Sequence, residues 1–186
     1  LYMRGLLLLA DGFEDTEALT TRDVLTRAGI EITTASISDY LEVESSFGIH
    51  VLADALLKLI FDTTPYDLLI LPGGGRGTRN LSESILVPQY IEKFYRANKL
   101  VCAICAAPSI LGKLGYLKNK KYTCFAGFNE GIDGIFTGNE VEISDNIITA
   151  RSMNYSIDFA LTIIEKLIGK QQREKVEKGL KGLQQK

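Results

Sequence analysis

The sequence predicts an α/β fold, a doubly wound sandwich whose mostly parallel central sheet carries helices on both faces. Three observations predict it. Residues 5–10, 68–71 and 100–104 are continuous aliphatic runs without polar alternation, as expected of parallel strands covered on both sides. Stretches with apolar residues at helical spacing lie between such runs. The runs end abruptly in turns of glycine, acidic or small residues, and in such sheets ligands bind beyond the carboxyl ends of the strands.

In chain order, 5–10 is the first strand, and Asp11-Gly12-Phe13-Glu14-Asp15 turns the chain and supplies acids to a helix start. Residues 16–28 place Ala18, Leu19, Val24, Leu25 and Ala28 at helical spacing before Gly29. Residues 30–37, rich in Thr and Ile, complete a βαβ unit. A short strand or hairpin arm follows over 47–53 and a short helix over 55–61. The strand at 68–71 ends at Pro72-Gly73-Gly74-Gly75, which either brings backbone amides close to a ligand or is a plain tight turn. Leu81-Ser82-Glu83-Ser84 opens a helix that continues past Pro88 to Asn98. The run 100–104 leads into a helix that tolerates Pro108 in its first turn and stops at Gly115. Residues 118–121 read as a solvated basic turn, 122–125 as a strand and 127–138 as a glycine-rich loop. Residues 140–143 and 147–150 flank Ser144-Asp145-Asn146 as a hairpin. Residues 156–168 are the last strongly amphipathic helix, and 170–186 are a polar, lysine-rich segment with a frayed end.

At 186 residues the expectation is one domain over 3–186, with Leu1-Tyr2 a cloning remnant ahead of Met3. A formal net charge of −2 gives no reason to expect nucleic acid or an anionic membrane as partner. The apolar run 6–10 is too short to span a bilayer. Three cysteines without a secretory signal point to a reducing compartment, hence a soluble cytoplasmic protein.

Cys105 falls where a strand passes into a helix, the geometry of a nucleophile elbow, and the positive end of a helix dipole there favours thiolate. The competing reading is a buried structural cysteine. Glu14, Asp15 and Glu17 follow the first strand and Gly73–Gly75 the third, so a thiol, carboxyls and amides can converge on one crevice. Glu17, if buried beside the sulfur, keeps its proton and shuttles it; otherwise it is an ordinary exposed helix acid. The one histidine, His50, lies amid Ile49, Val51 and Leu52 in a hairpin, away from strand carboxyl ends, which disfavours a Cys–His pair. Cys102 and Cys105 have C-x-x-C spacing, but Cys102 lies inside a strand and Cys124 in an apolar stretch. Three cysteines and one remote histidine make a poor metal set, so no metal or other cofactor is expected.

Asp11-Gly12-Phe13-Glu14-Asp15-Thr16-Glu17-Ala18, Leu71-Pro72-Gly73-Gly74, Asn80-Leu81-Ser82 and Ala103-Ile104-Cys105-Ala106-Ala107-Pro108 together resemble the DJ-1/PfpI (ThiJ) superfamily, nearest its DJ-1-like branch. The resemblance runs collinearly from Met3 to Ile168. It implies a flavodoxin-like sandwich and a homodimer, with Cys105 as nucleophile, Glu17 as its carboxyl partner and the amides of Gly74, Gly75 and Ala106 around an oxyanion. Glu14, Phe125 and Arg151 would wall the pocket. The protease-like branch carries a histidine directly after the cysteine; Ala106 stands here, which argues against peptidase activity. Phe125 aligns where the family often has His or Tyr, and Ser152-Met153-Asn154-Tyr155 replaces its frequent Gly-Pro-Gly-Thr loop. The implied activity is cofactor-free chemistry on small reactive carbonyls, of glyoxalase or deglycase type. The alternatives are a redox-responsive protein whose Cys105 is oxidised to sulfenate or sulfinate, and a stress-related dimer whose thiol is incidental.

Overall fold

In a computed structural model, which describes residues 2–183, Leu6 and Leu8 point to one face of the sheet and Leu7 and Leu9 to the other. That is the two-residue period of extended chain, and with apolar side chains at every position it requires cover on both faces. The expectations for Leu1 and for 184–186 lie outside the described residues.

Strand β1 (Arg4–Leu9) is followed by α1 (Asp15–Arg27), β2 (Glu31–Ser36), the hairpin strands β3 (Glu42–Glu44) and β4 (His50–Leu52), and β5 (Ala55–Leu56). Then come β6 (Leu68–Leu71), α2 (Gly75–Glu83), α3 (Val87–Arg96), β7 (Leu100–Ile104) and α4 (Pro108–Lys113). Short strands β8 (Lys121–Tyr122) and β9 (Ile135–Phe136) precede β10 (Val141–Ser144), β11 (Ile147–Ala150), α5 (Ser156–Leu167) and α6 (Lys170–Leu180). The central sheet has seven strands in the order β10-β11-β7-β6-β1-β2-β5, parallel except for the β10–β11 hairpin. The chain winds outward through β2 and then returns to the other side of β1, so the strand order reverses between β1 and β6.

One apolar core joins the sheet to α1, α5 and α6 through Val24, Leu25, Phe159, Ile163 and Val176. The other joins it to α2, α3 and α4 through Leu81, Ile91, Phe94 and Leu111. No helix among the described residues is long and apolar enough to cross a membrane.

Three local expectations need correction. Residues 55–61 are not a helix: Ala55–Leu56 add an edge strand to β2, and only Leu57–Leu59 turn helically. The helix expected to open at Leu81 begins at Gly75 and ends at Glu83, because α2 starts directly on the glycine turn; a separate α3 begins at Val87. Of 122–125, only Tyr122 is in a strand; beyond it the Thr123 N–H donates to the Thr149 hydroxyl instead of a ladder partner. We expect Phe159→Ala, which empties a fully buried ring site, to lower unfolding free energy by about 3–5 kcal/mol in a denaturant titration.

Candidate active site

The end of β7 makes a turn that strains the chain. Cys105 adopts φ +64°, a left-handed conformation uncommon for a residue with a side chain. Its backbone is held on both sides: the Cys105 N–H donates to the Ala150 carbonyl at 2.9 Å, and the Phe125 N–H donates to the Cys105 carbonyl at 2.8 Å. The turn leaves the thiol half-buried at the carboxyl edge of the sheet, with backbone N–H groups of Ala106 and Gly74 donating to the sulfur.

Glu17 reaches the same point from α1. Its side chain is 1% exposed; Oε1 accepts the Gly73 N–H at 3.0 Å, while Oε2 has no nitrogen or oxygen partner and the carboxyl bears on the Cys105 thiol. Gly73 is the close-approach residue. A Cβ there would lie 2.5 Å from Glu17 Oε1, 2.8 Å from the Ile104 carbonyl and 2.9 Å from Cys105 Cβ. Gly74, at φ +92°, threads a second gap, since a Cβ would meet the Gly12 carbonyl at 2.4 Å. Glu14 caps α1 by accepting the Glu17 N–H at 2.7 Å, which keeps a second carboxyl near the first.

Burial, reinforced by Glu14, pushes the Glu17 carboxyl up to about 7. Burial also pushes the Cys105 thiol up, and an ionised Glu17 beside it adds to this; the Ala106 and Gly74 N–H groups oppose both. The expected help from a helix dipole is small here, because α4 has six residues and begins three residues after the sulfur. Two acids this close and this dry carry at most one negative charge between them near neutrality. The Ala106 and Gly74 N–H groups work against the rise at the sulfur, the Gly73 N–H and the thiol itself work against the rise at the carboxyl, and Glu14 opposes charge on Glu17.

Other expected residues lie at varying remove. The exposed Phe125 ring packs edge-on against Phe128 with centroids 6.4 Å apart. Gly75 starts α2 and lines a neighbouring cleft. Arg151 follows Ala150, but its guanidinium donates to the Gly138 carbonyl at 2.7 Å and the Tyr155 hydroxyl at 2.6 Å, in a separate groove. His50 is exposed and pairs with Glu42 at 2.8 Å. Burial raises the Cys102 and Cys124 thiols, the latter to about 11, so both stay protonated.

Sequence reasoning missed the clamp that holds the β3–β4 hairpin over the site's rim. Asp15 accepts the Ser45 hydroxyl at 2.8 Å and the Phe47 N–H at 3.3 Å, and Asp11 accepts the Glu44 N–H at 3.0 Å. Nothing in their spacing of about thirty residues announces these pairings.

Fold and site define a flavodoxin-like α/β protein with a cysteine and a buried carboxyl at the carboxyl edge of its sheet. The chain belongs to the DJ-1/PfpI family, whose model matches residues 3–166. It is 33% identical to Protein dj-1beta of Drosophila melanogaster over 179 residues, 95% of each chain. It is 30% identical over 178 residues to the glutathione-independent glyoxalase DJR-1.2 of Caenorhabditis elegans, 94% of each chain. The structure of oxidised Toxoplasma gondii DJ-1 matches with a TM-score of 0.91 at 31% identity, covering 96% of this chain and 97% of that one.

A carboxyl raised from 4.5 to about 7 contributes stability that is whole below pH 4.5 and is lost as pH rises through about 7. The loss amounts to about 3 kcal/mol. Glu17→Gln, which cannot ionise, should therefore gain stability relative to the natural chain between about pH 5 and pH 8. Denaturant midpoints of the two proteins at both pH values measure it, and parallel pH profiles would contradict a neutral buried carboxyl.

Proposed function

We propose that the chain is a cysteine-dependent, cofactor-free enzyme acting on small reactive carbonyls, with Cys105 as nucleophile and Glu17 as acid and base. The observation that carries this reading is the placement of Glu17: one oxygen tied to the Gly73 N–H, its carboxyl against a thiol that two further N–H groups address. The thiolate adds to the aldehyde carbon of a 2-oxoaldehyde such as methylglyoxal, and Glu17 gives its proton to the new alkoxide. Glu17 carboxylate then takes the proton from the former aldehyde carbon, and the resulting enediol is reprotonated at the neighbouring carbon. Water cleaves the thioester so formed, returning the thiol. The aldehyde carbon is oxidised, the ketone carbon is reduced, and one water is consumed, so no external oxidant is required. The amides of Gly74 and Ala106 hold the oxyanions. Ala106, which stands where a histidine would pair with the thiol in protease-like relatives, speaks against peptidase activity.

A second reading uses the same geometry. Peroxide oxidises the thiolate by two oxygens to a sulfinate, with two peroxides reduced to water, and protonated Glu17 donates to a sulfinate oxygen. The relative described as oxidised favours keeping this reading. The three unpaired cysteines support a cytoplasmic location. A second copy of the chain is the partner that fits the exposed Phe47, Ile49 and Leu52 of the hairpin, which Asp15 holds beside Leu19 of α1.

Lactate formation from methylglyoxal tests the enzyme reading. Cys105→Ser and Glu17→Gln should each lower kcat/KM by about a hundredfold or more. Activity surviving in Cys105→Ser contradicts the mechanism. Failure of all three proteins, with a gain of two oxygens located on Cys105 after mild peroxide, would favour the second reading.

A further inference from the structure

Helices α2 and α4 flank a cleft of about 370 Å³ lined by Gly75, Thr78, Arg79, Ser82, Glu83, Ser109, Lys113 and Phe128. Its walls continue the elements that address the sulfur. Gly75 follows Gly74, and the Ser109 hydroxyl donates to the carbonyl of Ala106 at 2.6 Å. The Phe128 ring lies against Phe125, whose N–H binds the Cys105 carbonyl. Arg79 follows Gly75 by four residues and Lys113 follows Ser109 by four, so both cations stand one helical turn, about 6 Å, further along the cleft.

Three features mark the cleft as built for an anion. Neither Arg79 nor Lys113 has an ion-pair partner among the described residues, although ten salt bridges occur elsewhere on the protein. Thr78 is 4% exposed, yet its Oγ1 has no hydrogen-bond partner, an orphaned donor in a residue that lines the cleft. Ser82 adds a hydroxyl at the surface of the cleft, whereas that of Ser109 is already given to the Ala106 carbonyl. A carboxylate offers two oxygens to such a set of donors, whereas a phosphate ester offers three around a tetrahedral centre. Glu83 is the one acidic side chain of the cleft and opposes the charge.

We propose that this cleft is a phosphate-binding subsite, and that it seats the phosphate end of carbonyl substrates whose reactive carbon lies at Cys105. The substrate half of this statement rests on the enzyme reading above; the phosphate site does not. Arg79 and Lys113 neutralise the dianion, Ser82 donates its hydroxyl to it, and Phe128 covers the short carbon chain.

Calorimetric titration of the natural chain with inorganic phosphate should show saturable binding. Arg79→Gln/Lys113→Gln should weaken it roughly tenfold or more, Glu83→Gln should tighten it, and Cys105→Ser should leave it unchanged. No saturable binding, or equal binding by the double variant, overturns the site. For the substrate, kcat/KM is compared between hydroxypyruvaldehyde and its phosphate ester. The ester should be preferred roughly tenfold or more by the natural chain and not by the double variant; equal values in the natural chain overturn the substrate assignment. Phosphate binding without turnover of either compound would leave the subsite standing and remove the enzyme reading. Turnover of methylglyoxal without phosphate binding would do the reverse.

Discussion

The hydrogen bond from the Gly73 N–H to the Glu17 carboxylate oxygen ties the helix after β1 to the loop after β6, across the place where the strand order reverses. Everything at the site is arranged around that bond. It requires a residue without Cβ, because carboxyl oxygen, Ile104 carbonyl and Cys105 Cβ already fill the space a side chain would take. It also fixes where the buried acid ends and the sulfur begins. With Oε1 engaged, Oε2 lacks a nitrogen or oxygen partner, and the thiol is the polar group against which the carboxyl is set.

Burial acts on both acids in the same direction, so the pair resists double ionisation far more than either group alone. The surroundings of the two groups differ. The strained turn at Cys105 brings the Ala106 N–H to the sulfur, the glycine turn after β6 brings that of Gly74, and Glu14, needed to cap α1, disfavours charge on Glu17. No histidine stands in reserve: His50 is exposed in the hairpin, paired with Glu42, and Phe125 cannot carry a proton.

Much of this was legible in the chain. The aliphatic runs at β1, β6 and β7 announce a covered parallel sheet, because residues such as Leu6 through Leu9 need apolar neighbours on both faces. Cys105 and Glu17 each lie just past one of those runs, so topology alone brings their segments to one edge. Family resemblance then paired them. The burial of Glu17 was not legible: one acid among Glu14, Asp15 and Glu17 turns inward, and helical spacing does not say which carboxyl finds Gly73. The desolvation of the thiol was not legible for a related reason. A strand-to-helix junction reads as a dipole, while desolvation depends on packing from elements far away in sequence. Strand β5 was misread because Ala55 and Leu56 pair only through an edge that β2 offers. The start of α2 was misplaced because Gly75 through Asn80 lack the apolar spacing that marks a helix.

The proposed reaction needs the single negative charge of the Cys105–Glu17 pair on sulfur when substrate arrives. Ultraviolet thiolate absorption followed against pH, with Cys105→Ser as the blank, measures this directly. A charge on sulfur gives a Cys105-dependent signal already below the ordinary thiol value of ~8.5. No thiolate signal until above the ordinary thiol value of ~8.5 would place the charge on the carboxyl and contradict the account.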